Sequence, residues 1–192
     1  MRPLARSLKN HYEPHIFTYS SVFHPSYHTK CRLVELLDKT QAAYIVGHSL
    51  GGVLAMQTLC EHPHLQEHVK RLVCLGSPLK GSRVVQKLAT VRGGPRLVGQ
   101  SFNTLHVGCS PWDGKTEVAV IAGNKPQGLG KLFAPFAEEN DGTVGISETK
   151  LEGVVHHRIV PASHSGLLWC PNTAQLTAHF LKSGCFPTQT PP

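Results

Sequence analysis

The chain has 192 residues, 40% of them hydrophobic and 16% charged, which suits one α/β core and is short for two. Its formal charge of +7 comes from 19 basic residues scattered without a Lys/Arg-rich block, so no nucleic-acid partner is expected, and no apolar run is long enough for a membrane span. The opening MRPLARSLKN lacks the apolar core of a signal peptide, six cysteines are widely spaced with no CxxC pair, and the chain reads as a cytoplasmic protein with reduced core thiols and no metal.

In chain order, residues 1–12 place Leu4 and Leu8 on one face of an amphipathic helix. HIFTY at 15–19 predicts a short strand. Residues 30–38 form a second helix with Leu33, Leu36 and Leu37 inward. Residues 42–59, AAYIVGHSLGGVLAMQTL, carry the pattern around which the rest is organised: a buried parallel strand at Tyr44, Ile45 and Val46, then Gly47, His48, Ser49, Leu50, Gly51, then a helix apolar nearly all round through Val53, Leu54, Met56, Leu59 and Cys60. The cluster EHPHLQEH beyond it, holding His62, His64 and His68, reads as a solvated helix end.

Residues 71–75 predict another buried strand, followed by the loop Gly76, Ser77, Pro78 at the carboxyl end of the sheet. Residues 80–116, with helical patterns at 84–88 and 97–105, predict a small helical cap. EVAVIA at 117–122 is a strand, and a Gly- and Pro-rich connection leads to Asn140, Asp141, Gly142. Residues 154–160 are the last strand, with Ser163 and His164 in the loop beyond. Asn172 is the predicted cap of a final helix carrying Leu176, Phe180 and Leu181 and stopped by Gly184. The expected architecture is a single domain over residues 1–186, a mostly parallel sheet with helices on both faces, plus a disordered tail at 187–192.

GxSxG with strand before and helix after is a nucleophile elbow, a strained turn that lifts the serine hydroxyl above the sheet edge. Glycines at 47 and 51 suit the close approach of strand and helix. The helix N-terminus points free N–H groups at the site, and the N–H of Leu50 is the first oxyanion donor. A serine hydroxyl needs a base, and the base a carboxylate, each following the serine on a loop after a strand. Of the three aspartates, Asp38 precedes Ser49 and Asp113 lies in the cap, leaving Asp141. Its neighbours Glu138 and Glu139 are the fallback acids. His164 is the candidate base, because His156 and His157 lie within or before the last strand and would not reach its carboxyl end.

On GHSLGG at 47–52, LGSPLKGS at 75–82, NDGTV at 140–144 and the Ser163, His164 pair, the chain resembles the α/β-hydrolase superfamily, and small bacterial lipase-like esterases within it. The resemblance implies hydrolysis of carboxylic esters through an acyl-enzyme, with no metal or organic cofactor. It also marks a departure. Such hydrolases carry, before the helix that opens this chain, a strand ending in a His-Gly turn that supplies a second oxyanion N–H; here it is absent. That strand would lie between the one predicted at 15–19 and the one leading into Ser49, so its loss implies a gap in mid-sheet. Either Met1 is an internal methionine of a longer protein, or the strands re-pair and the site is impaired.

The sequence therefore predicts an esterase acting on a small-molecule ester with an apolar acyl group, drawn toward Leu79, Val84, Val85, Leu88 and the cap. The alternatives are a truncated, catalytically impaired binding protein and an acyltransferase using the same three residues.

Overall fold

In the computed structural model, which describes residues 1–20, 24–127 and 138–188, the apolar runs become four strands. These are β1 (Tyr44–His48), β2 (Arg71–Leu75), β3 (Glu117–Gly123) and β4 (His156–Val160), paired in that order and all parallel. Parallel pairing puts every carboxyl end on one side, so the turns after β1, β2 and β4 meet there.

Strand residues alternate between two cores, as period-two side chains must. Leu72, Cys74, Val118 and Val120 pack on one face with Leu33 and Leu37 of α2 (Ser26–Thr40) and Val53, Met56 and Leu59 of α3 (Leu50–Glu61). Val73, Leu75, Ala119 and Ile121 pack on the other with Leu4 and Leu8 of α1 (Arg2–Leu8) and Phe180 and Leu181 of the last helix. Both faces are covered, as the composition of the strands requires.

The cap region contains α4 (Arg83–Ala89), α5 (Gly94–Val98) and α6 (Phe102–Val107), with α6 packed against α3. The acid loop carries the short α7 (Ile146–Thr149), and the chain closes with α8 (Pro171–Ser183). Gly184 ends α8 at φ 76°, a left-handed cap. Asn172 is not its cap: Cys170 takes that position and Pro171 the first turn, where its fixed φ and missing N–H cost nothing. Part of the predicted Gly- and Pro-rich connection (128–137) and of the predicted tail (189–192) lies outside the described residues.

Residues 15–19 form no strand. The segment lines one wall of a cleft of about 460 Å³ whose other wall is β1, which is paired only with β2 among the described residues. A strand exists by its ladder, and among the described residues HIFTY pairs with no edge, the cleft separating it from β1. For the same reason Tyr44, Ile45 and Val46 are half-buried, where the sequence reading has them fully buried. Cys60 is also exposed, in the last turn of α3, and of the six free thiols only that of Cys74 is fully buried.

Candidate active site

Ser49 is the single residue between β1 and α3, and its backbone is at φ 55°, ψ −124°. Gln41, in an ordinary left-handed helix cap, is the other non-glycine residue with positive φ among those described. Serine is a favoured helix cap, yet Ser49 makes no side-chain cap hydrogen bond, so its hydroxyl is not consumed by the helix it precedes. Its N–H donates to Leu75 O at 2.8 Å, and its carbonyl accepts from Gly52 at 3.1 Å. The first N–H groups of α3, beginning at Leu50, lie at the positive end of a twelve-residue helix.

The turn closes because three side chains are missing. A Cβ on Gly47 would lie 2.5 Å from the backbone of Gly52, and one on Gly52 would lie 2.1 Å from Ser77 Oγ. Gly51 is different: its nearest neighbour would be the Tyr19 hydroxyl at 3.5 Å, an ordinary contact. The close approach expected at Gly51 falls on Gly52 instead, since Gly51 faces the open cleft and Gly52 faces β2. The third is Gly76, at φ 52° after β2, where a Cβ would be 3.0 Å from Asp141 Oδ2 and 3.2 Å from His164 Nδ1.

Asp141 is 1% exposed and its acceptor capacity is used on named donors. Oδ1 accepts the N–H groups of Thr143 at 2.9 Å and Val144 at 2.7 Å, while Oδ2 is 2.7 Å from His164 Nδ1. The turn that shapes this cradle needs Gly142 at φ 94°. The main chain repeats the link, with His164 N–H donating to Asp141 O at 2.9 Å. A carboxylate on Nδ1 fixes the proton there and leaves Nε2 as the basic nitrogen of the neutral ring.

His48 joins these parts. Its Nε2 is 2.9 Å from the carbonyl oxygen of His164, and the two rings pack with centroids 4.7 Å apart, tilted by 44°. Burial, reinforced by the nearness of His164, lowers its pKa to about 4, so His48 is neutral at ordinary pH. In the sequence His48 is a residue of the elbow with no visible partner; the contact crosses from β1 to the loop after β4, which no local pattern encodes.

The structure thus joins Asp141 to His164 directly and bonds His164 to His48, the residue before Ser49, with no hydrogen bond between Ser49 and His164 among the described residues. His157 stays away from the site, with Nε2 2.8 Å from Thr149 Oγ1, and burial lowers its pKa to about 4. Glu138 bonds Arg83 and the Ser147 hydroxyl, and Glu148 accepts the Arg83 N–H at 2.6 Å, so both tie the acid loop to α4. Leu79 is buried in the core that α2 and α3 form on the sheet and Val85 is buried in α4, and the apolar space that reaches His48 and Gly51 is the cleft beside β1.

Residues 3–106 match the family model described as alpha/beta hydrolase fold. No curated protein matches the chain in sequence. Among solved structures, a lipase from Bacillus licheniformis in mature form is 19% identical with a TM-score of 0.62, covering 82% of this chain and 71% of that one. Its propeptide form is 20% identical with a TM-score of 0.68, over 87% of this chain and 42% of that one. A metagenomic carboxyl esterase is 14% identical with a TM-score of 0.74, over 93% of this chain and 68% of that one. At such identities the likeness is one of fold.

Proposed function

The chain belongs to the α/β hydrolase fold family, and from that premise we propose that it is a serine hydrolase of carboxylic esters. The observation that carries the reading is the Asp141–His164 pair, at 2.7 Å, with His164 bonded in turn to the residue before a strained serine whose hydroxyl caps nothing. In this reading Ser49 Oγ attacks the ester carbonyl carbon while His164 Nε2 takes the hydroxyl proton. The N–H of Leu50 stabilises the oxyanion, and collapse of the tetrahedral intermediate returns the proton from His164 to the departing alcohol. Water then repeats the cycle on the acyl-serine. Asp141 holds the imidazole in the reactive tautomer.

An apolar acyl group is proposed because the cleft that opens at His48 and Gly51 is walled by side chains such as Leu4, Leu8, Phe17 and Ile45. The same cleft supports a second reading. Backbone groups on the outer edge of β1 have no ladder partner among the described residues, and β1 lines this cleft, which suits an extended peptide and a non-catalytic binding role.

A fluorophosphonate probe separates the two. The expected result is covalent labelling of the folded protein that disappears in Ser49→Ala, together with turnover of p-nitrophenyl esters bearing apolar acyl groups. A folded wild-type protein that resists labelling defeats the enzyme reading and leaves the binding one.

A further inference from the structure

We propose that His48 is a positioning residue of this site, donating its Nε2–H to the main-chain carbonyl of His164 and so holding the base in register with the nucleophile turn. The proposal rests on the serine-hydrolase reading for its kinetic consequences, although the contact itself does not.

A carbonyl oxygen only accepts, so the 2.9 Å contact fixes the proton of the neutral imidazole on Nε2 and leaves Nδ1 bare. His164 is then pinned at three points: its N–H on Asp141 O, its ring Nδ1 on Asp141 Oδ2, and its carbonyl under His48. The first two bonds fix His164 relative to the acid loop alone. The third relates it to β1, and therefore to Ser49, the very next residue. β1 and β4 are the outer strands of the four-strand order, so without this bond their registration passes through β2 and β3.

The ring also has to remain uncharged for this role. The charged or titratable groups that act on it are His164, Asp141 and the α-amino group of Met1. Burial and the proximity of His164 keep His48 neutral, so when His164 takes a proton it gains no cationic neighbour 4.7 Å away. A displacement of the base by about 1 Å costs on the order of 100-fold in rate.

Glutamine and methionine at position 48 have nearly the same length and flexibility, and only glutamine carries an N–H donor at its tip. The expected result is that His48→Met loses about 10- to 100-fold in kcat at nearly unchanged KM, while His48→Gln stays within about threefold of wild type. Labelling of Ser49 by the fluorophosphonate should slow in the same order. Equal losses in His48→Gln and His48→Met, or no loss in either, overturn the proposal. Should His48→Met not fold, His48→Phe, which keeps a ring and lacks the donor, replaces it in the comparison.

One readout is independent of turnover. The downfield proton resonance of His164 Nδ1–H, in its bond to Asp141, should persist in wild type and His48→Gln and broaden or vanish in the donor-less variants. Persistence in all of them overturns the positioning role. A wild-type protein that shows this pattern but resists labelling retains the positioning role and loses the hydrolase reading.

Discussion

Ser49 sits where its own side chain is disfavoured. A non-glycine residue at φ 55° and ψ −124° carries roughly 1–3 kcal/mol of backbone strain, relieved if the Cβ is removed. Ser49→Gly should therefore melt above Ser49→Ala, by about 1 kcal/mol after allowing for the looser unfolded chain of glycine, and both should be inactive. Equal melting points would show that the turn is not strained. Asp141 makes the complementary case, since all the partners of its carboxylate are donors. Asp141→Asn can keep its bonds to Thr143 and Val144 through one oxygen, but places an amide where Oδ2 accepts from His164. Turnover should fall roughly 10³- to 10⁴-fold with KM little changed. Near-full turnover in Asp141→Asn would remove Asp141 from the mechanism, and Glu138, already engaged with Arg83 and Ser147, is poorly placed to replace it.

At the scale of elements, the elbow is a contact between a strand and a helix that tolerates no atom at position 47. Gly47→Ala drives a Cβ to 2.5 Å from the Gly52 backbone, which has no flexible end to move aside, and should destabilise by about 3 kcal/mol. Gly51→Ala meets only the Tyr19 hydroxyl at 3.5 Å and, in the first turn of α3, should gain about 0.5 kcal/mol. Urea denaturation of the two variants checks the opposite signs. Matching destabilisation by both would mean that the space beside β1 is filled in solution. The acid loop is held in the same indirect manner, by Arg83 of α4 bonding Glu138 and lending its N–H to Glu148.

Across the whole molecule, acid stability is governed by histidines that fold in neutral form. His48 and His157 are both lowered from the ordinary 6.5 to about 4, in each case first by burial. Below about pH 6.5 the unfolded chain binds protons at these positions that the folded chain refuses, so stability is full above that value and is lost as pH falls toward 4. For the more buried His48 the loss approaches the order of 3 kcal/mol. Glu148, raised chiefly by burial, acts in the opposite sense over part of this range and by less. The melting temperature should therefore drop between pH 6.5 and 4.5, and His157→Gln should flatten the drop. A flat profile in wild type would mean that these rings are not shielded from water.

The sequence by itself determined what local chemistry encodes. Apolar runs of strand length located β1, β2, β3 and β4 to within a few residues, the 3.6 period located α1 and α2, an all-round apolar run located α3, and GHSLGG placed Ser49 on its turn. Order along the chain, with each residue on a loop after a strand, singled out Asp141 and His164, which the fold brings to 2.7 Å. Tertiary structure decided the rest, because each remaining feature depends on what stands opposite. Residues 15–19 lack a ladder since the cleft stands between them and β1, Gly52 and not Gly51 is the crowded glycine since β2 lies on its side, and His48 acquires a partner 116 positions away in sequence. A pattern of residues fixes which face of an element is apolar, but only the packed neighbour fixes whether an edge is paired, a glycine is pressed, or an imidazole finds a carbonyl to hold.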